Sequence, residues 1–566
     1  MISLALFPDL HRPPFPLAGK GRILQHLYCQ HCATRPEEAG EDEVSETPRK
    51  PFKRRIVLVV VLAVAAGFLG ISWWEKDKVA KIEAFLQTQG EYSFDSLKVG
   101  FWGKSITILG FKGSAPYVMG GKIRLEAGSV HVVGANFDAL DSAGVVPLAD
   151  SVQITDYRNT VEFPPQSERG KESVFVKSYS MDRVRGDARL LEEMGRKTQD
   201  LTNPETVARY FASSGSIRIG VVAVGGYELS MDAGLPTPMV LSVESLQSED
   251  YGLFVHKAAK ISNIAFSVMG EKILTIGSLS TGRLSMPVAL APALLSGKSE
   301  GFDEFPRAMA ALDKEPLVLR DIEAKDVAFR VLFPEAVTLK SCFFDLEMDN
   351  NRMELKSRFA DLILPSSYYR YSGREAGEFA KVYGATLDFS GALEFLLSWK
   401  DGRGELLLKD SGLTEKNLGE VQLGVNLLFE APGMDSLVKL VESGREPEVF
   451  LKSGRVVLDD RHFLGILFKS MNESDKKEAE EEGRTPETLE QTRAQAVRHV
   501  RSKAEQSVSP DKKAILEGMA KLAERPGRLE ISLDPASPLP LDYNRAVESD
   551  VSGAYKATVR YTPHQQ

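Results

Sequence analysis

Gly402–Phe429, GRGELLLKDSGLTEKNLGEVQLGVNLLF, alternates apolar with polar side chains over runs of four to eight residues, and glycine punctuates the runs, the first following Asp401. Successive side chains of an extended strand point to opposite faces, so this alternation predicts antiparallel strands with one apolar and one polar face. The same texture returns in FDSLKVGFWGKSITILGF (Phe94–Phe111), SGSIRIGVVAVGGYELSM (Ser214–Met231), KILTIGSLSTGRLSMP (Lys272–Pro287) and LVLRDIEAKDVAFRVLF (Leu317–Phe333). Strands are therefore expected to dominate the body of the protein.

Helical signals separate the strand runs. Lys76–Gln89 carries Val79, Ile82 and Leu86 on one stripe and stops at Gly90; Asn203-Pro204 opens a helix to Ala212; Ser372–Tyr383 and Met434–Glu442 are further short candidates. After Asp459-Asp460, HFLGILFKSM leads into DKKEAEEEGR (Asp475–Arg484), whose dense charge reads as a solvated loop. Thr485-Pro486 and Ser509-Pro510 each place a capping hydroxyl before a proline, and Pro526 ends the second helix ahead of the alternating RLEISLDP. The expected fold class is α+β, predominantly antiparallel β with helical inserts, and one N-terminal transmembrane helix. The expected division is a tail over 1–55, a span over 56–74, a β-rich region over 75–365, and a second over 366–566 holding a helical hairpin at about 461–525.

The span rests on PFKRRIVLVVVLAVAAGFLGISWWEKDK (Pro51–Lys78). Ile56–Trp74 holds no charge, and nineteen residues at about 1.5 Å each match a bilayer's hydrocarbon thickness. Five of the seven residues from Arg49 to Arg55 are Lys or Arg, Arg54 and Arg55 closing the cluster, whereas Lys76, Lys78 and Lys81 interleave with Glu75 and Asp77 beyond the span. This asymmetry predicts a cytoplasmic N-terminus, with Trp73 and Trp74 in the far headgroup layer. The small residues Ala63, Ala65 and Ala66 lie inside the apolar run, and bulky Ile-Ser-Trp-Trp follows, so an uncleaved signal-anchor is expected rather than a cleaved signal peptide.

The first 55 residues are Pro-punctuated and then acidic, a composition that predicts disorder. Within them Cys29 and Cys32 stand at thiolate-chelate spacing beside His26 and His31. They are the weak metal candidates of this chain, since one CxxC supplies only half of a zinc tetrahedron and no second pair follows. No metal or other cofactor is expected. Cys342, the remaining cysteine, has no intramolecular disulfide partner in an exported body and reads as a small buried hydrophobe.

The tail, anchor, juxtamembrane helix and opening strand pair YSFDSLKVGFWGKSITILGFKGS together resemble the bacterial envelope proteins grouped around AsmA and YdgA. The run from LLLKDSGLTEKNLGEVQLGVNLLF to ERPGRLEISLDPASPLPL is similar to the closing segment of YdgA-like proteins. The resemblance lies in organisation and texture rather than in an invariant motif. It implies a bacterial inner-membrane protein with a cytoplasmic N-terminus and a periplasmic β-rich body, and it places the function in cell-envelope maintenance through lipid binding or transfer.

Catalytic signatures are missing. Gly103–Ser105 and Gly297–Ser299 read GKS, but a phosphate loop needs a glycine five positions earlier, where Lys98 and Pro292 stand. His131, His256, His462, His499 and His564 are scattered, and the adjacent acids Glu192-Glu193 and Asp459-Asp460 diverge in any regular element. No enzyme is expected. A formal charge of −9 excludes nucleic acid as the main partner. The remaining expectations are a phospholipid bilayer around the anchor and, for the body, either a lipid held on an uncovered apolar face or an envelope protein docked on the 485–525 hairpin. The two differ in whether an apolar groove survives folding.

Overall fold

A computed structural model describes residues 91–100, 104–116, 122–136, 144–163, 170–187, 215–232, 237–252, 254–287, 315–330, 334–369, 386–431, 448–541 and 555–565, with a few single positions such as Val79, Ala139, Leu312 and Tyr383. Its strands fall in three groups along the chain. The first holds β1 (Glu91–Ser93), β2 (Ser96–Gly100), β3 (Ser105–Pro116), β4 (Lys122–Val133), β5 (Val146–Glu162), β6 (Lys171–Gly186) and β7 (Arg218–Met231). The second holds β8 (Met239–Tyr251), β9 (Val255–His256), β10 (Ala258–Val268), β11 (Glu271–Thr281), β12 (Leu284–Ser285), β13 (Leu317–Phe329), β14 (Val337–Met348) and β15 (Arg352–Leu364). The third holds β16 (Leu387–Lys400), β17 (Arg403–Glu415), β18 (Gly419–Phe429), β19 (Val449–Asp460), β20 (Gly527–Pro535), β21 (Leu539–Pro540) and β22 (Tyr555–Pro563).

Among the described residues 22 strands join one sheet, and every pairing is antiparallel. The long strands form a meander: β3 to β8 pair in sequence, then β10, β11, β13 to β20 in turn, and β22 at the far edge. The predominance of antiparallel strands is thus as the alternation implies. Among the described residues the first and last strands do not pair with each other, so the ladder stays open.

A crease crosses this sheet from β3 to β15. At one level of each strand the pairing skips a residue, and on alternate strands that residue has a left-handed backbone: Gly110 (φ 61°), Asp156 (50°), Gly226 (62°), Asn263 (52°), Asp326 (54°) and Asp361 (52°). Gly, Asn and Asp are the residues that tolerate this region at least cost. The strands between contribute Gly128, Lys177, Glu244, Gly277 and Lys340 to the same line. Lys340 Nζ lies 3.4 Å from Asp361, and Asn263 Nδ2 donates to Glu244. Beside the crease runs a row enriched in hydroxyls, Ser129, Thr155, Ser178, Ser245, Ser262, Ser278 and Ser341, in which the Ser129 and Thr155 hydroxyls meet at 2.9 Å.

At the crease each strand sets two consecutive residues on its charged face, as Lys177-Ser178 do between the apolar Val176 and Tyr179. The charged face is thereby the longer one, and the strands bend toward the apolar face. A second line of left-handed residues, Gly134, Arg183, Asp250 and Asp321, lies five or six residues further along the same strands. Gly226→Val is expected to destabilise the protein by about 2 kcal/mol, because a β-branched residue must adopt φ > 0 and its Cβ would meet Lys177 Cβ at 2.9 Å. Asp326→Gly is expected to stay within about 0.5 kcal/mol of the parent, and urea midpoints compare the two.

Between β19 and β20 the chain forms α1 (Phe463–Glu482), α2 (Leu489–Gln506) and α3 (Pro510–Glu524). The expected two-helix hairpin is a three-helix unit, and Asp475–Arg484, expected as a loop, forms most of the last turns of α1 and its cap. Its charges pair along and beyond the helix, Lys476 with Glu473 at 2.6 Å and Arg484 with Asp475 at 2.6 Å, and Gly483 closes the helix at φ 69° with its N–H on Ala479. The second cap also differs from expectation: Thr488, not Thr485, accepts from Gln491 N while Gln491 Oε1 accepts from Thr488 N, a capping box. Ser509 caps α3 with Pro510 at its first position, as its sequence predicts.

Asp460, at the entrance to α1, is buried; its Oδ1 accepts from Leu464 N at 3.0 Å and its Oδ2 has no partner among the described residues. Burial raises its pKa above the ordinary carboxyl value despite the backbone donors of Leu464 and Phe463. Its favourable contribution is therefore whole below the unfolded carboxyl pKa and is lost as pH rises through the folded value. Asp460→Asn is expected to melt higher than the parent at neutral pH, with the gain shrinking below about pH 4.

Candidate apolar groove

One register row crosses eighteen strands without a charged residue. Its partners run Leu97, Ile108, Val130, Ile154, Tyr179 and Val224, then Leu246, Ile261, Leu279, Ala324, Cys342 and Phe359, then Gly391, Leu413, Val421, Leu458, Leu529 and Tyr561. A parallel row adds Tyr227, Val243, Ile264, Ile276, Val327, Leu339, Leu362 and Phe389 to the same face. The opposite face carries surface ion pairs such as Arg124 with Glu162 at 3.1 Å and Lys452 with Glu405 at 2.8 Å.

Burial along this apolar face varies in three zones. From β2 to β7 it is dry: Ile108 is 2 % exposed, and Ile106, Met181 and Ile219 join it in one cluster against which Val79 also packs. Under α3 it is dry again, where Leu529 is 0 % exposed and Gly518 of α3 approaches so closely that a Cβ there would meet Leu529 and Val559 at 2.8 and 2.7 Å. Between them the face is open: Leu393 is 42 %, Leu413 46 %, Val421 49 % and Leu423 38 % exposed. In the central row Val130, Ile154, Tyr179 and Val224 are half-buried, as are Ile261, Leu279, Cys342 and Phe359, and exposure peaks at Leu413 and Val421.

The ends of the strands close this zone sideways. On one side Leu397, Phe429, Ala431 and Leu312 pack together, with the Trp399 and Phe429 rings edge to face at 5.8 Å. On the other, Leu387, Leu418 and Phe389 pack with Ile466 of α1. There Glu415 is buried but satisfied, accepting from Leu418 N at 2.6 Å, Asn417 N at 2.8 Å, Asp388 N at 3.0 Å and Tyr383 OH at 3.3 Å. The result is an apolar trough with packed walls and packed ends. Near its dry end the Tyr179 phenol, pushed up by burial and by the neighbouring Tyr251, has no hydrogen-bond partner among the described residues.

Among the described histidines, His131, His256 and His564 lie apart, each with its own partner. His131 shares a hydrogen with Thr107 at 2.8 Å, His256 with Thr281 at 2.6 Å, and His564 lies 3.1 Å from Asp459. Burial lowers the His256 pKa. Among the described residues no group of three His, Cys, Asp or Glu is placed to hold a metal ion, and no helix is long and apolar enough to cross a membrane. Cys342 is free and half-buried on the apolar face rather than fully buried. Asp459 and Asp460 diverge, Asp459 toward Arg461 and His564 and Asp460 toward Leu464.

Cys29, Cys32, Arg54, Arg55, Trp73 and Trp74 lie outside the described residues, as do the Ile56–Trp74 span and the Glu192-Glu193 pair. The residues that sequence reasoning passed over are Leu393, Leu413, Val421 and Leu423. Their signal was present in the Gly402–Phe429 alternation, which marks an apolar face without saying whether anything covers it. No family model matches the chain, and no curated protein matches it.

Proposed function

We infer that this chain is a single-pass bacterial inner-membrane protein, N-terminus in the cytoplasm, whose periplasmic β-rich body holds or passes lipid acyl chains in its apolar trough. The observation that carries this reading is the open stretch of the apolar face at Leu413 and Val421, between Ile108 toward one end and Leu529 toward the other, both buried. Water on an apolar surface is unfavourable by about 25 cal/mol per Å², so a surface of this kind favours an apolar occupant. The trough's central row offers no charge for a headgroup, which suits hydrocarbon inside and a polar group at the mouth. The resemblance to AsmA/YdgA-like envelope proteins points the same way, toward cell-envelope maintenance without catalysis.

The test is site-specific photocrosslinking of the full chain in living cells, with benzoylphenylalanine at Val421 or, on the opposite face, at Gln422. Phospholipid adducts at Val421 and not at Gln422 are the expected result, read by mass spectrometry; their absence from both positions would sink the reading. A second reading, a non-enzymatic scaffold that binds another envelope protein, draws on the strongly exposed Val508 between α2 and α3 and on exposed Met519 of α3. Protein adducts from the probe at Val508, with no lipid at Val421, would favour it.

A further inference from the structure

A hollow of about 580 Å³ lies on the charged face, on the far side of the sheet from the apolar trough. Two neighbouring register rows build it. One runs Phe343, Arg358, Ala392, Gly412, Gln422, each residue the direct partner of the next. In the other, Ser341 faces Ala360, and Ser390 faces Thr414, which faces Glu420. Away from the crease and its hydroxyl row this face carries ion-paired side chains such as Arg124 and Lys452, whereas over β16 and β17 the outward residues are Ser, Ala, Gly and Thr. The small residues form the floor, and Phe343 with Arg358 and Glu420 with Gln422 stand as opposite walls.

Three strand spacings, roughly 14 Å, separate the Arg358 wall from the Gln422 wall. Arg358 is exposed and forms no ion pair with a described residue. Gln422 Nε2 donates to Glu420 Oε1 at 2.5 Å, which aligns a carboxylate and an amide as one hydrogen-bonding edge. Asp361 N donates to Ser390 Oγ at 3.1 Å and fixes that hydroxyl in the floor.

We propose that this hollow binds a short acidic saccharide, its carboxylate on Arg358, a ring face on Phe343, and ring hydroxyls on Thr414, Glu420 and Gln422. On a sheet face the backbone N–H and C=O groups are engaged in the ladder, so an extended peptide finds no main-chain partners there and recognition falls to side chains. Hydroxyl, amide and carboxylate side chains donate and accept at close spacing, which is what a polyhydroxylated ring requires. An unpaired guanidinium offers a carboxylate two parallel hydrogen bonds. The volume lies in the range of small-ligand sites, and the shallow floor suits a chain that continues past both walls.

The proposal stands apart from the lipid reading, because the two sites occupy opposite faces. Calorimetric titration of the full chain in detergent with trigalacturonate, neutral maltotriose and a triglutamate peptide tests it. Trigalacturonate is expected to bind at least tenfold tighter than the other two, and Arg358→Ala and Ala392→Leu are each expected to weaken it at least tenfold with unchanged melting temperature. Ala392→Leu fills the floor without touching a charge, so a loss in both variants separates a shaped site from simple ion attraction. No binding of trigalacturonate, tighter binding of triglutamate, equal binding of all three probes, or variants that bind like the parent would each overturn the proposal.

Discussion

Val421→Glu is expected to strip the protein of its phospholipid adducts by more than tenfold while leaving its melting temperature within a few degrees of the parent. Val421 is 49 % exposed, so its substitution removes little packing and the carboxylate keeps access to water in the empty trough. With hydrocarbon in place the same carboxylate would lose that water, and an unpaired buried charge is unfavourable by several kcal/mol. A photocrosslinking probe at Leu413, its partner across the ladder, reads the loss directly. Retained adducts would mean that the trough is not where lipid sits. Gln422→Glu, one residue on and facing the other way, should leave the adducts unchanged.

The second large effect separates two leucines of one row. Leu529→Ala is expected to destabilise the protein by about 2–5 kcal/mol, since Leu529 is 0 % exposed between β20 and α3 and the close approach of Gly518 leaves a cavity behind rather than a surface. Leu413→Ala is expected to lower stability by less than about 1 kcal/mol, because nearly half of that side chain already faces solvent. Urea unfolding of both variants measures the contrast. Equal effects would mean that the trough over β17 and β18 is covered in solution.

These two residues also mark how far the chain's pattern could be read. Leu413 lies in a stretch whose alternation assigns strand and face by local sterics alone, and the strand, its direction and its apolar side all follow. Leu529 lies in RLEISLDP, which alternates in the same way. Nothing local distinguishes them, since what covers each is set by residues far away in sequence: α3 for Leu529, and no described layer for Leu413. The last turns of α1 are hidden for a different reason: the charge density of DKKEAEEEGR masks the signals that make a helix of it, the i,i+3 pair Glu473–Lys476 and the left-handed Gly483 cap.

By itself the sequence determined the strand content, the two-faced character of the sheet, and the cap and proline that start α3, because each depends on neighbours within a few positions. The tertiary structure alone decided three further things. It aligned Gly110, Asp156, Gly226, Asn263, Asp326 and Asp361 into one crease, although each of them alone reads as an ordinary polar or small strand residue. It laid α3 over one end of the apolar face and packed the other end dry, leaving the middle open. It gathered small residues from neighbouring strands into a hollow on the charged face. Register joins residues that lie tens to hundreds of positions apart, and period-two alternation carries no information about distances of that length.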